Sequence, residues 1–408
     1  MMFGLGRDEA LALTLATEEI FTYLCEGIGS DSPLVMTCAS GGYYVTEEFH
    51  FAAKHFDMRA FNLTARASFE DETAVRETGL LIASRMVDRF HFAGNDTGLR
   101  LTLVKEKAYP FAPDVEAPIA KPLKEYSVRE PHPEELKLFV SLVNAHYRAD
   151  LTPPGFAFPG KIVDMVSCGE YAPEIAVDDS GRIGGGIVRR WDGTRLVEFF
   201  GPYVFNQPPG SSIARDLVDA CINAIARSPA VGLITRYPTP ELPQEYFEAL
   251  GTLFFPGVGG VTELTAFYRH LEEDTGATVW SHPSIEGFLK DEYRRLAFAR
   301  ELLPVREDGE LPSPFSVLSA EFNRAGRGVT LRPVWWGSDA TELVAAHVDI
   351  LTREDISGLL FEMDLGKPWQ CHFSPALLEC GFEPRLVLPY AGKGDLVVFQ
   401  RRMGEPLR

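Results

Sequence analysis

The stretch Arg195–Ile225, RLVEFFGPYVFNQPPGSSIARDLVDACINAI, decides how this chain folds. Its first part is apolar and β-rich: Leu196, Val197, Phe199, Phe200, Tyr203, Val204 and Phe205, interrupted by Gly201-Pro202. That interruption predicts a strand with a kink or bulge, because proline cannot donate to a ladder and glycine tolerates a bent backbone. Gln207 to Ser212 then reads as a tight loop, with Ser211 or Ser212 as N-cap. Ile213, Leu217, Val218, Cys221, Ile222 and Ile225 recur at helical spacing, so a strand, a loop and an amphipathic helix follow in that order. A helix that starts there presents unpaired N–H groups, which attract phosphate.

The loop fits the pattern Gln/Arg-x-x-Gly-x-Gly/Ala at Gln207, Gly210 and Ser212, and in this it resembles the coenzyme A pyrophosphate loop of the GNAT acetyltransferases. Ser212 stands where a smaller residue is usual. The alternative is an ordinary capped turn, and the order of the flanking elements is what favours the resemblance. Before the loop the sequence predicts a strand at Tyr126–Arg129, helices over Pro133–Tyr147 and within TPPGFAFPGKIVDMV, and strands at Pro173–Val177 and Ile183–Arg190. After it come a strand at Val231–Arg236, a short helix at Pro243–Ala249 and a closing strand at Val261–His270.

The resemblance implies acetyl- or acyl-coenzyme A as cofactor, held by Gln207, Gly210, Ser211, Ser212 and Ile213, and direct transfer of the acyl group to an amine on a small molecule or protein. Glu198, on the kinked strand, is the candidate base; the competing reading is a solvated strand face. Tyr203 either orients substrate or fills the core. The family's acid is a tyrosine on the short helix. Phe247 occupies that slot here, with Tyr246 one residue away, a shift of about 100° around a helix.

An earlier segment carries a second resemblance. LATEEIFTYL (15–24), RETGLLIASRMVDRF (76–90) and DTGLRLTLVKE (96–106) resemble the GHKL ATPase domain of anti-sigma-factor serine kinases. The predicted elements are a helix over 7–27 with Ala10, Leu13, Ala16, Thr17, Ile20, Phe21 and Leu24 on one stripe, strands at Leu34–Ala39, Tyr43–Phe51 and Met58–Ser68, a helix at Thr73–Phe90 and a strand at Leu99–Lys105. If Glu19 takes the acidic position, Tyr23 replaces the magnesium-binding Asn, and Asn62–Arg66 lacks the adenine-contacting Asp and glycines. The resemblance therefore implies a degenerate scaffold that docks a protein partner or pairs as a homodimer rather than an active ATPase or kinase.

A partial repeat is predicted near the C-terminus. Strands at Val317–Phe322, Val329–Trp335 and Ser357–Asp364 alternate with helices at Asp339–Leu351 and Ser374–Glu379 and end in a hairpin, Arg385–Tyr390 with Leu396–Arg401. Trp335 and Trp336 replace the coenzyme loop, which predicts a non-catalytic copy. The expected fold class is α/β (α+β): a two-layer GHKL-type sandwich, then a GNAT acyl-CoA N-acyltransferase fold and a second partial GNAT-like lobe. The expected organisation is 1–107, a Pro-rich linker at 108–125, 126–272, a connector at 273–314 with a helix over Ile285–Leu303, and 315–408.

Composition narrows the function. A net charge of −19 without a Lys/Arg run argues against general nucleic-acid binding. The sequence shows neither a membrane-spanning apolar run nor a signal peptide, so a cytoplasmic location is expected. The six cysteines include no CxxC pair, and His50 with His55 has the wrong spacing for two ligands on a helix, so no metal site is expected. Two functions stand: an N-acyltransferase, or a regulatory binding protein that has lost catalysis.

Overall fold

The computed structural model describes residues 4–27, 33–51, 59, 62–64, 79–80, 82–95, 98–111, 122–257, 260–306, 313–323 and 328–402. It is a mixed α/β protein with two compact units, Met1–Tyr109 with Leu311–Ala320 and Arg332–Ile350, and Pro110–Glu310 with Glu321–Leu331 and Leu351–Arg408.

In the first unit, helix α1 (Arg7–Gly27) accompanies an antiparallel sheet of order β1-β2-β4-β3, formed by Leu34–Ser40, Tyr44–Phe51, Gly98–Glu106 and Arg89–Asn95. Leu13, Ala16, Ile20 and Leu24 are buried with Val45, Phe49, Leu101 and Leu103. The expected stripe is corrected at Phe21, which is 47% exposed: it lies about 100° around the helix from Ile20 and so points off the buried face. The expected strand Met58–Ser68 lies outside the described residues apart from residues 59 and 62–64, which form no strand. The expected helix at Thr73–Phe90 ends earlier. Residues 82–86 are helical, but Asp88 already bonds to β4 through Val104 O, and Arg89 opens β3. RFHFAGN alternates with period two, and its pairing with β4 overrides the helical reading.

The second unit is built on a seven-stranded sheet of order β10-β11-β9-β8-β7-β6-β5. In chain order, β5 is Ser127–Arg129, β6 Ala172–Val177, β7 Ile183–Asp192, β8 Leu196–Val204, β9 Gly232–Thr235, β10 Glu248–Gly257 and β11 Gly260–His270. Helices α2 (Pro133–His146) and α3 (Pro159–Ser167) connect β5 to β6, and α4 (Ile213–Ile225) carries the chain from β8 to its parallel neighbour β9. The apolar stripe of α4 (Ile213, Leu217, Val218, Cys221, Ile225) is buried against Ile187, Val197, Phe199 and Leu233. Each large side chain in that stripe contributes about 1.5–3 kcal/mol by leaving water. Close approach of α4 depends on Gly185, where an added Cβ would lie 2.5 Å from Tyr203 O and 2.9 Å from Ile213 Cγ2.

The predicted helix at Pro243–Ala249 is a single 3-10 turn, Gln244–Tyr246, after which β10 begins. A hairpin partner explains the change: β10 pairs with β11 from Glu248↔Tyr268 to Gly257↔Gly260, which outweighs local helix propensity. The connector also differs. Its helix, α5, spans Pro283–Arg295 and is flanked by the parallel strands β12 (Ala277–Ser281) and β13 (Arg300–Pro304). Ala297, at φ +56°, turns the chain out of the helix before Leu302 and Leu303. The side chain of Arg300 is buried and pinned between Asp274 (2.8 Å) and Asp395 (2.6 Å).

The last sheet has the order β14-β15-β16-β18-β17, formed by Val317–Asn323, Gly328–Trp335, Gly358–Asp364, Leu396–Arg401 and Phe382–Leu388. Helix α6 (Ala340–Arg353) joins β15 to its parallel neighbour β16, and the short helices α7 (Pro368–Cys371) and α8 (Ser374–Glu379) precede β17. The order repeats that of β7-β8-β9-β11-β10, including one parallel pair joined through a helix and an interrupted register in the closing hairpin, at Ala249/Gly251 and at Pro384/Leu386.

Two outcomes follow from these packings. Gly185→Ala should lower stability by about 1–3 kcal/mol in a denaturant titration, because the new methyl meets backbone. His347 on α6 is fully buried, and burial holds its pKa at about 4. The unfolded chain takes up this proton first, so stability should fall by about 3 kcal/mol between pH 6.5 and 4. Urea midpoints measured across that range for the native chain and for His347→Leu should differ in slope.

Candidate functional site

β8 and β9 run side by side only briefly. They pair at Leu196↔Gly232, Val197↔Leu233 and Glu198↔Ile234; the ladder then breaks, and the chain beyond β9 meets β8 once more at Gly201↔Pro238. On its other side β8 stays with β7, but the register shifts between Gly186 and Val188, opposite Gly201-Pro202. The expected kink is therefore a bulge, with Gly201 at φ +99° and a Cβ there only 2.8 Å from Tyr203 N. The bulge bends β8, and past the Gly201↔Pro238 bridge the parallel pairing ends, which leaves a wedge beside the last residues of the strand.

Beyond the wedge, the chain turns through Gln207–Ser212 into α4. Gln207 Nε2 donates to Phe205 O (2.8 Å), and its Oε1 accepts from Leu123 N (3.0 Å), so this side chain fixes the loop. Gly210 has φ +83°, and nothing lies within 4 Å of the place its Cβ would take. Ser211 Oγ accepts a long bond from Ile213 N (3.4 Å). Ser212 stands at the N-cap position without capping; its hydroxyl bonds to Tyr126 (2.6 Å) and Asp216 (2.9 Å). Ile213 is fully buried, so only its backbone could serve a ligand.

The first turn of α4 carries charges of both signs, Arg215 and Asp216. Arg215, in the first turn, lies 5.8 Å from the centre of the Tyr246 ring, and Arg269 lies 5.4 Å from it. Arg215 is 58% exposed and paired at 3.3 Å with the equally exposed Glu245, a weak surface contact. Tyr246 therefore sits in the 3-10 turn between two guanidiniums, while Phe247 packs on Phe199 at 5.5 Å.

The candidate base is not available. Glu198 is fully buried and accepts from Arg190 (Nη2, 2.7 Å) and Arg236 (Nε, 2.6 Å; Nη2, 3.0 Å). Burial alone would raise its pKa, but the Arg236 and Arg190 guanidiniums outweigh burial and hold it at about 2. A carboxylate with both oxygens in charged hydrogen bonds has no affinity to spare for a substrate proton, which removes both the base and the solvated-face readings. Arg236 also reaches Glu362 on β16 (3.1 Å) and Asp192 on β7 (3.6 Å). Burial raises the pKa of Asp192, against the pull of Arg236.

Tyr203 is likewise a core residue. It is fully buried, its hydroxyl donates to Leu151 O (2.7 Å), and its ring lies among Phe139, Tyr147 and Phe156. Sequence reasoning missed Arg236, Asp192 and Glu362; the alternation Arg190/Asp192 on one strand and Glu198 on the next was the local sign of a shared face. A shallow depression lined by Gly276, Ala277, Thr278, Ala299, Arg300 and Glu301 lies on the β12–β13 pair and includes none of the candidate site residues. Among the described residues no group of three or more His, Cys, Asp or Glu is placed to hold a metal ion, and no helix is long and apolar enough to cross a membrane.

No family model and no curated protein matches this sequence. Among solved structures, the chain is similar to a GNAT superfamily phosphinothricin acetyltransferase from Sinorhizobium meliloti in complex with AcCoA, at 17% identity and a TM-score of 0.31, over 37% of this chain and 90% of that one. It is also similar to the GNAT family N-acetyltransferase YhbS from Escherichia coli in complex with CoA (17% identity, TM-score 0.29, 38% and 86% of the two chains). A third is an aminoglycoside 6'-acetyltransferase type Ii (16% identity, TM-score 0.29, 36% and 98%).

Because the buried Glu198 balances the largely buried Arg236 and the half-buried Arg190, Glu198→Gln should cost about 3 kcal/mol in stability. A differential-scanning melt would show it, whereas a purely catalytic carboxylate would leave the melting temperature in place.

Proposed function

We propose that the chain is a GNAT-like N-acyltransferase that takes an acetyl or acyl group from coenzyme A and passes it to an amine. The observation that carries this reading is the parted β8–β9 pair running into an open glycine turn at Gly210 and the start of α4. A wedge between strands suits an extended arm, and a helix start with Arg215 in its first turn suits its pyrophosphate. Gly210, Ser211, Ser212 and the Ile213 backbone would hold the phosphates, with Gln207 shaping the loop.

In the transfer, the amine nitrogen bonds to the thioester carbonyl carbon, the carbon–sulfur bond breaks, and the departing thiolate takes a proton. Positioning and backbone donors lower this barrier. Tyr246, the sequence candidate for that proton donor, stands beside Arg215 in the first turn of α4, where the pyrophosphate rather than the thiolate would lie, so the thiolate takes its proton from water. Glu198 has no part in proton transfer, so the amine enters as the free base and gives to water the proton its nitrogen sheds on acylation. The first module, read as a degenerate GHKL scaffold over 1–107, would dock a protein partner; Val35 and Met36 on β1 expose 54% and 52% of their surface.

The sequestered Glu198 and the phenylalanine at position 247 favour a second reading, a coenzyme A-sensing regulator without turnover. Calorimetric titration with acetyl-coenzyme A, alongside Gly210→Trp and a separate titration with ATP and magnesium, tests both. Saturable binding of acetyl-coenzyme A that disappears in the variant, with its circular dichroism unchanged, is the expected outcome, and release of free thiol with an amine panel then separates transferase from sensor. Absence of coenzyme binding would end both readings.

A further inference from the structure

The wedge is not empty of hydrogen-bond partners. Past the bulge, Phe205 N turns back to Gly184 O beside β7, so by strand alternation the N–H and C=O of Val204 face the opposite way, toward the side β9 has left. Both are taken by one side chain: Tyr147 Oη accepts from Val204 N (2.7 Å) and donates to Val204 O (3.1 Å). Two residues earlier, Pro202 O accepts from Thr239 Oγ1 (2.7 Å), and Gly201 forms an isolated bridge with Pro238. Proline has no N–H, so the carbonyl of residue 202 is all it offers. The outward edge of β8 is therefore satisfied at residues 202 and 204 by side chains from elsewhere in the chain.

The two hydroxyls are placed by distinct elements. α2 ends at His146, and Tyr147 is extended (φ −121°, ψ 149°), which lays its ring against Tyr203 at 4.9 Å. Thr239 is 2% exposed in the turn that follows β9. Burial, with the nearby Glu241 carboxylate in the Thr239 turn, keeps the Tyr147 hydroxyl protonated by raising its pKa. Water cannot replace either partner readily at buried backbone groups, so the edge stays closed until another donor and acceptor arrive.

We propose that Tyr147 and Thr239 form a hydroxyl latch on the outward edge of β8, and that an extended amide-bearing arm, the pantetheine of acyl-coenzyme A, binds there by displacing them. This rests on the acyl-coenzyme reading above. The latch offers what one amide of such an arm would offer, a donor and an acceptor at strand spacing, and it keeps the wedge shut in the free protein.

The test is calorimetric titration of the full chain with acetyl-coenzyme A for the native protein, Tyr147→Phe, Thr239→Val and the double variant. Tyr147→Phe removes the hydroxyl alone, and Thr239→Val replaces it with a methyl of similar volume, so each deletes the hydrogen bonds while largely keeping the packing. Each hydroxyl lost leaves backbone groups unpaired in the free protein but not in the complex, so affinity should rise about three- to tenfold per variant. Melting temperatures should fall without ligand and recover with it. Tighter binding in the variants, or binding that appears only in them, supports the latch. Native binding that is unchanged or weakened in all three variants overturns the latch and leaves the acyl-coenzyme reading intact. If no form binds, the coenzyme reading fails and the latch with it.

Discussion

The second unit depends on one buried ion pair. Arg236 and Glu198 meet on the face of the seven-stranded sheet opposite α4, and Arg190, Asp192 and Glu362 complete the cluster. Desolvating such charges is expensive, and their mutual attraction offsets the cost only when the geometry is close and every donor and acceptor is used. Here Glu198 uses both oxygens, and Arg236 binds carboxylates from two different sheets. The result is a rigid point at the end of the continuous β8–β9 ladder, shortly before the Gly201↔Pro238 bridge beyond which the wedge opens.

Backbone accounting explains much of the rest. An edge strand must find partners for its amides or invite another chain. Gln400 on β18 meets this need for β10, accepting from Phe254 N (2.9 Å) and donating to Phe254 O. Tyr147 and Thr239 do the same within the wedge. In each case a side chain stands in for a strand, at Phe254 on the β10 border and at residues 202 and 204 in the inner gap. Closing the wedge in this way is compatible with a ligand site only if the stand-ins can leave. Hydroxyls at the end of a helix and in a turn can do so at lower cost than a paired strand.

The repeat has the same logic at larger scale. β7-β8-β9-β11-β10 and β14-β15-β16-β18-β17 share an order and one parallel pair joined through a helix. Only the first copy carries the Gly210 turn; Trp335 ends β15 and Trp336 follows where that loop would begin. The second copy supplies Glu362 and Gln400 to the first, so its contribution is through contacts on the first sheet.

Elements specified by local pattern were legible in the chain: the stripe of α4, the bulge at Gly201-Pro202, α1, and the succession from β14 to β18. Helical and strand periodicities act over a few residues, so a single sequence reports them directly. β3 and β10 were not legible, because their state is settled by a hairpin partner rather than by propensity. Glu198 was misread for the same reason: Arg236 lies 38 residues along the chain from it and Glu362 a further 126, and no local signal reports such a pairing. Tyr147, 57 residues from Val204, could be seen only as the last residue of a helix. The sequence by itself determined the order and type of most elements, the loop at Gly210 and the mixed α/β class. Tertiary structure alone decided which charged groups are neutralised and which strand edges are closed, because burial and hydrogen-bond partners are properties of residues brought together from distant parts of the chain.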